Sequence, residues 1–388
     1  MSIELNKLCE LIVDCPHSTA VDEGTGYPLI RTPNIGAGFF DLEGVHRVSK
    51  AVYDKRNQRA IPQSGDLILA REAPAGNVAI IPEGAEFCLG QRTVLIRPNA
   101  SKVYSPFLNY YLNAPEQRHK LLRNANGATV SHVNMPIIRN LPIELPPMKD
   151  QRRIAEILAT YDSLIENNRK QIKLLEEAAQ RLFKEWFIDL RFPGHETAEI
   201  NPETGLPDGW RYELLTDNAS IQYGYAFDAS FFNSNGEGIP IVRIRNIQNG
   251  FSDDFTTEEF SNKYRVFNGD LLVGMDGEFC INTWIGGDAA LVQRSCRIKP
   301  IKPLNEGYLK NALKPQLIAL QNGIVGATVS HLGKKHIDSI KIVVPSSTLI
   351  ERFRVIEKKT LFLRMTNLRA AEARDRLLPG LISNEIEV

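Results

Sequence analysis

The feature that most constrains this chain is that it repeats itself. Gly127-Ala-Thr-Val-Ser-His132 recurs as Gly326-Ala-Thr-Val-Ser-His331. Upstream and in the same order, Gln91-Arg-Thr-Val-Leu-Ile-Arg-Pro98 has a mate in Gln293-Arg-Ser-Cys-Arg-Ile-Lys-Pro300. Gly65-Asp-Leu-Ile-Leu-Ala70 matches Gly269-Asp-Leu-Leu-Val-Gly274, and the stretch from Tyr27 to Asp41 matches that from Ile239 to Asp253. The offset between copies drifts from 212 through 204 and 202 to 199. Preserved order with a drifting offset is what duplication followed by loop insertion produces, so the 388 residues hold two copies of one domain of about 150 residues.

Each copy reads as mixed α and β, dominated by short strands. In the first they are expected at Pro28–Arg31, Asp66–Arg71, Asn77–Ile81 and Arg92–Arg97, apolar runs bounded by Gly, Pro and Asp. A helix is expected from Ser105 or Pro106, with a mate from Glu306 to about Gln321 that Pro315 should kink or break. After each copy the pattern changes in kind. Apolar residues recur at alternating steps of four and three through Ile154, Leu158, Tyr161, Ile165, Ile172, Leu175, Ala179, Leu182 and Trp186, broken only by Asn168. The pattern returns more weakly at Phe353, Ile356, Thr360, Leu363, Ala370, Arg374, Leu377 and Leu381, with Asn367 as the matching interruption and Pro379-Gly380 as the expected stop. These seams predict two long helices that partner each other. The first, from about Asp150 to Phe187, would be on the order of 55 Å long. Asn168 and Asn367 are then expected to face one another and set the register. The expected order is a first globule (1–148), a central helix (149–191), a linker with the second globule (192–347), and a C-terminal helix and tail (348–388).

Composition limits the function classes. There are 46 Lys and Arg against 46 Asp and Glu, so the chain offers little sequence-independent attraction for nucleic acid, and any DNA binding must come from local patches or a partner. Five cysteines without a CxxC pair argue against a disulfide framework. No apolar run is long enough to span a bilayer and no signal peptide is evident, so a soluble, cytoplasmic protein is expected. There is no phosphate loop, HExxH or GxSxG motif. Cys15-Pro-His17 lacks further ligands at metal-site spacing. His132 and His331 each follow a Ser, but no acidic residue is expected at the same place in both repeats to orient them. No catalytic residue, bound metal or bound cofactor is expected.

Taken together, the tandem blocks, the helix end Ala178-Ala-Gln-Arg-Leu-Phe-Lys-Glu-Trp-Phe-Ile-Asp189, the Leu206-Pro-Asp-Gly-Trp210 opening of the second copy and the Arg376-Leu-Leu-Pro-Gly-Leu-Ile-Ser383 ending resemble the specificity subunits of type I restriction–modification systems. The likeness covers essentially the whole chain, except that the first copy lacks the LPxGW opening. It implies an α+β fold: two similar strand-rich target-recognition domains separated by two long helices that form an antiparallel coiled coil. It further implies that each domain reads one half of a bipartite sequence in double-stranded DNA, and that the helices set the spacing and dock two modification (methyltransferase) subunits, with restriction (motor nuclease) subunits joining them. S-adenosylmethionine, ATP and magnesium would belong to those partners. The rival readings are a helical-spacer adaptor holding two protein-binding domains, and a nuclease whose site is not recognisable.

Duplication sorts the candidate DNA contacts. Residues common to both copies suit phosphates, which carry no sequence information, whereas base readers belong where the copies differ. Thr129, Ser131 and His132, with Thr328, Ser330 and His331, are donors behind a Gly. Arg92 and Arg294 each open a strand and are expected either to grip the backbone or to pair with a carboxylate of their own domain. Arg31 with Asn34, and Arg243 with Arg245 and Asn246, end strands in loops that diverge between copies, and Arg and Asn can pair bidentately with guanine and adenine edges. Arg71 stands where the second copy has Met275, a further difference suited to readout.

Overall fold

The computed structural model describes residues 2–72, 75–123, 132–323, 331–345, 347–382 and 386. Two compact units emerge: Met1–Ser163 with Ala370–Val388, and Leu164–Arg369. The boundary therefore cuts both long helices, and each unit is a globule plus its own piece of each helix.

In the first unit an antiparallel sheet runs in the order Cys9–Asp14, Thr93–Pro98, Leu67–Ala70, Val78–Ile80. Its central strand Leu67-Ile-Leu-Ala70 is completely buried. Leu67 and Leu69 face a core containing Val94, Ile96, Phe107 and Tyr111, whereas Ile68 and Ala70 face Ile30, Leu89 and Leu95 on the other side. Burial of both faces is why this strand reads as an unbroken apolar run rather than an alternation. A second sheet (Arg47–Val48, Tyr27–Ile30, Cys88–Leu89) carries Ile30 and Leu89. Each of the four expected strands lies within one residue of the observed limits.

The second unit repeats this plan. Its four-stranded sheet is ordered Ala219–Tyr223, Ser295–Pro300, Leu271–Gly274, Ile281–Thr283, and the parallel pair Tyr27–Ile30/Cys88–Leu89 has its mate in Ile239–Val242/Ala289–Leu291. Each copy also opens on a strand that pairs antiparallel with its last strand: Ser2–Glu4 with Pro142–Glu144, and Arg211–Leu214 with Lys341–Val344. The missing LPxGW motif does not cost the first copy its opening strand.

Two prolines behave differently from expectation. Helix Glu306–Gly323 runs through Pro315, and helix Ser347–Ile382 runs through Pro379. A proline removes one helical hydrogen bond. Here buried side chains on both sides hold the helix: Ala312, Leu313 and Leu317 around Pro315, and Leu378 and Leu381 around Pro379. The first copy resolves a similar proline otherwise. Ala114 is extended (ψ 137°), and Pro115 starts a new helix, Pro115–Arg123.

Within each unit the helix segments run antiparallel. In the first, Ile154 and Leu158 share a core with Leu378 and Leu381, and Arg374 Nη1 donates to Asp162 Oδ1 at 2.5 Å. In the second, Asn168, 4% exposed, donates through Nδ2 to Asn367 Oδ1 at 2.8 Å, while Asn367 Nδ2 donates to the Ile165 carbonyl at 3.2 Å. Beyond Phe183 the central helix widens into a π-helical turn, Lys184–Ile188. That turn places Phe187 5.1 Å from Tyr308, 5.4 Å from Trp210 and 5.7 Å from Phe353, ring centre to ring centre. Because the two amides satisfy each other, Asn168→Leu alone should lower stability by about 1–3 kcal/mol, and adding Asn367→Leu should recover most of that loss. Urea denaturation of the two variants measures both.

Candidate nucleic-acid interface

Because both faces of the four-stranded sheet are covered, its polar chemistry gathers at the strand ends. At one end of the first sheet lie Asp14, which closes its strand, Arg92, which precedes its strand, and Arg71 and Glu72, which follow theirs. The Arg71 N–H donates to the Arg92 carbonyl at 2.9 Å. The four-stranded sheet of the second unit has the same join, with Met275 N donating to Arg294 O at 2.9 Å.

Arg92 and Arg294 have left-handed backbones, φ +66° and +68°. Leu190 is the only other non-glycine residue with positive φ among the described residues. Such a conformation costs a side-chain-bearing residue about 1 kcal/mol or more and persists where the surroundings demand it. Both side chains remain about half exposed, at 51% and 55%.

Each arginine meets a carboxylate that also holds a histidine. Arg92 Nε lies 2.8 Å from Glu72 Oε2, and His132 Nδ1 lies 2.5 Å from Glu72 Oε1. In the second unit Arg294 Nη1 lies 3.2 Å from Asp276 Oδ2, and His331 Nδ1 bonds Asp276 Oδ1. Backbone bonds tie the histidine segments to the same strand ends: Val133 N to Arg71 O at 3.1 Å, and Leu332 N to Met275 O at 2.7 Å. Glu72 and Asp276 each stand seven residues after the Gly of the repeated Gly-Asp block. An acidic residue therefore does occupy a common place in both repeats, contrary to the sequence reading. The signal lay just past the end of the aligned block.

Other candidates fall elsewhere. Thr129, Ser131, Thr328 and Ser330 lie outside the described residues. Arg71 is 6% exposed. Its Nη1 bonds Asp14 Oδ2 at 2.7 Å, Nη2 meets His132 Nε2 at 2.8 Å, and Nε donates to the Val133 carbonyl at 2.9 Å. This arginine braces the cluster and has no free edge for a base. Asn34 and Asn246 accept from the backbone N–H of Arg31 and Arg243 at 3.1 and 3.0 Å, and Asn34 Nδ2 also donates to Asp41 O. They close the turn after the strand, which is the local reason for the shared Arg-x-x-Asn spacing. Arg31 is half-buried, Arg243 lies over the Phe232 ring at 4.6 Å, and Arg245, 63% exposed, pairs with Asp254. The Cys15 thiol is buried, which pushes its pKa up, and it accepts from Thr93 N, while His17 rests on Asp14 at 3.1 Å. Among the described residues no group of three or more His, Cys, Asp or Glu could hold a metal ion. No helix among them is long and apolar enough to cross a membrane.

The family model for the type I restriction modification DNA specificity domain matches residues 2–177 and 207–348. The chain belongs to this family. Among relatives of the specificity family, the type I restriction enzyme MjaIX specificity subunit of Methanocaldococcus jannaschii is 25% identical over 370 residues, 89% of this chain and 83% of that protein. The putative MjaX specificity subunit of the same organism is 24% identical, over 99% of this chain and 93% of that protein. The crystal structure of a type I restriction-modification S subunit from M. genitalium shares the fold, with a TM-score of 0.58 at 14% identity, covering 98% and 95% of the two chains. The mixed helix-and-strand architecture with two specificity domains thus agrees with the family.

If the left-handed arginines serve a ligand rather than the fold, glycine should be tolerated there. Arg92→Gly and Arg294→Gly are expected to change unfolding free energy by no more than about 1 kcal/mol, because relief of strain offsets a half-exposed ion pair. Each should weaken DNA binding and lower the slope of log affinity against log salt by about 0.9, one phosphate's share. Thermal melts and salt-dependent fluorescence anisotropy supply the two readouts.

Proposed function

We propose that this chain is the DNA sequence-reading subunit of a type I restriction–modification complex, with each globule reading one half of a bipartite target. The observation that carries the reading is the Arg–carboxylate–His cluster, built twice at the same end of the same sheet in two units of one family. A left-handed, half-exposed arginine held by a carboxylate presents its remaining N–H groups outward, which suits phosphate oxygens. Its presence in both copies fits a contact that is indifferent to sequence. Base reading then falls to the parts that differ, of which Arg245 is the exposed candidate. We assign the chain no catalytic step. Methyl transfer and cleavage, with S-adenosylmethionine, ATP and magnesium, belong to modification and restriction subunits, and the helix pair is where modification subunits dock. The balanced charge of 46 against 46 makes affinity depend on those partners.

Exchange of residues 1–148 for the first globule of a relative should change one half of the target, read from methylated-adenine maps, and leave the other half intact. A folded, active hybrid altered in both halves would refute independent reading. Adding one heptad to each long helix beside Asn168 and Asn367 lengthens the pair by about 10 Å. The gap between the half-sequences should widen by about three base pairs, at ~3.4 Å each. An active variant with an unchanged gap would show that the helices do not set it.

A further inference from the structure

We infer that Arg364, on the C-terminal long helix, is a positioning residue for base reading in the second domain: it fixes the aim of the short helix that carries Arg245. This rests on the reading of Arg245 as a base contact and adds what holds that contact in place.

Arg245 is the second residue of helix Ile244–Asn249. At 1.5 Å per residue this helix is only about 9 Å long, far shorter than an isolated helix needs to hold together. Its last carbonyls have no partner inside the helix and must find donors elsewhere. Gly250, left-handed at φ +82°, closes the helix by donating from its N–H to Asn246 O at 2.8 Å. The carbonyls of Gln248 and Asn249 are taken by side chains from other elements. Asn282 Nδ2, on the strand Ile281–Thr283, donates to Gln248 O at 2.7 Å, and Arg364 Nη2 donates to Asn249 O at 3.0 Å.

The two arms act as one device. Arg364 Nη1 donates to Asn282 Oδ1 at 2.8 Å and to Thr283 O at 3.0 Å, so the guanidinium also orients the amide that caps Gln248. A rigid planar fork suits this arrangement, in which three acceptors are served from one side chain. Its positive charge at a helix C-terminus also complements the helix dipole. Gly250 makes the approach possible: a Cβ there would lie 2.5 Å from Arg364 Nη2 and 3.0 Å from Thr283 O. Buried Ile247 sets the depth of the helix, in a core with Val242, Leu272 and Trp284. The directional bonds at the C-terminal end set its tilt, and Arg245 lies about one turn away on the same short piece.

The first copy braces its equivalent turn from within the globule. Gly38 precedes Gly250 by the same offset of 212 that relates Arg31 to Arg243, and it too is left-handed, φ +95°. There Asn109 Nδ2, from helix Ser105–Asn113, donates to Gly38 O at 3.2 Å. The C-terminal long helix therefore belongs to the reading unit of the second domain, whereas the first domain carries a brace of its own. A change at Arg364 should then reach one half of the target only.

The test maps the adenines methylated by the chain together with its modification subunits, for wild type and for Arg364→Met, which keeps an apolar stem and removes every donor. The half read by the second domain is the one that survives exchange of residues 1–148. In Arg364→Met, discrimination at one or two positions of that half should fall by about tenfold, with the other half and the gap unchanged. A structural role alone would lower methylation at every site alike and leave both half-sequences as in wild type. That result, or equal relaxation of both halves, overturns the inference. If Arg364→Met methylates nothing, Asn282→Ala decides by the same criteria, because it removes the other arm of the bracket. Arg245→Ala separates the levels. If it leaves the second half unchanged, the reading of this helix as a base reader itself fails. If it relaxes the second half while Arg364→Met does not, only the present inference fails.

Discussion

Burial of both faces of a four-stranded sheet is the constraint on which the rest of each unit depends. Leu67 and Leu69 go to a helical layer, Ile68 and Ala70 to a second sheet, and Leu271, Val273 and Leu272 divide in the same way. A sheet covered on both sides can present polar groups only where its strands begin and end. Arg92, Arg71 and Glu72 emerge there, as do Arg294, Met275 and Asp276. The left-handed backbone at both arginines belongs to that geometry: the residue sits in a tight turn at the strand's start, its carbonyl already taken by the neighbouring strand. Position and strain thus come from the scaffold, which leaves each guanidinium about half exposed.

Duplication allowed the scaffold to stay constant while its wiring changed. Where the first unit has the Asp14–Arg71 pair, the second has Tyr223 and Met275, two neutral, largely buried side chains in place of a charged couple. Losing one member alone would have left an uncompensated buried charge, which is strongly destabilising, whereas replacing both can be neutral. The Asp66 and Asp270 turns show the same freedom. Arg97 grips Asp66 through Nε and Nη2 at 2.9 and 2.8 Å, while Asp270 is met by Arg297, from a different position along the equivalent strand, at 3.4 Å. What the copies share is the need for a cation beside that aspartate, not the residue that supplies it.

The long helices obey a comparable rule. An apolar seam alone tolerates sliding by a heptad, but Asn168 and Asn367 satisfy each other only when they are opposite. Packing at the two ends adds to this, through Leu378 and Leu381 in one unit and the aromatic cluster of Phe187, Tyr308 and Phe353 in the other. Buried side chains likewise carry Ser347–Ile382 through Pro379, and the separate helix Glu306–Gly323 through Pro315, where local preference alone predicts a break.

Repeated blocks, strand limits, heptad seams and the matched asparagines were legible without a structure, because each is a local pattern of period or order that the chain displays along its length. Sequence by itself therefore determined the duplicated α+β architecture and pointed to Arg92, Arg294, His132 and His331. It did not reveal Glu72 and Asp276 as their partners. Nor did it distinguish Arg71, a buried brace, from Arg245, an exposed arm, or show that Asn34 and Asn246 close turns. Those assignments depend on which side chains meet across strands dozens of residues apart and on how much water reaches them. Only the tertiary structure decides that, because contact and burial are properties of the folded neighbourhood and not of a residue's place in the chain.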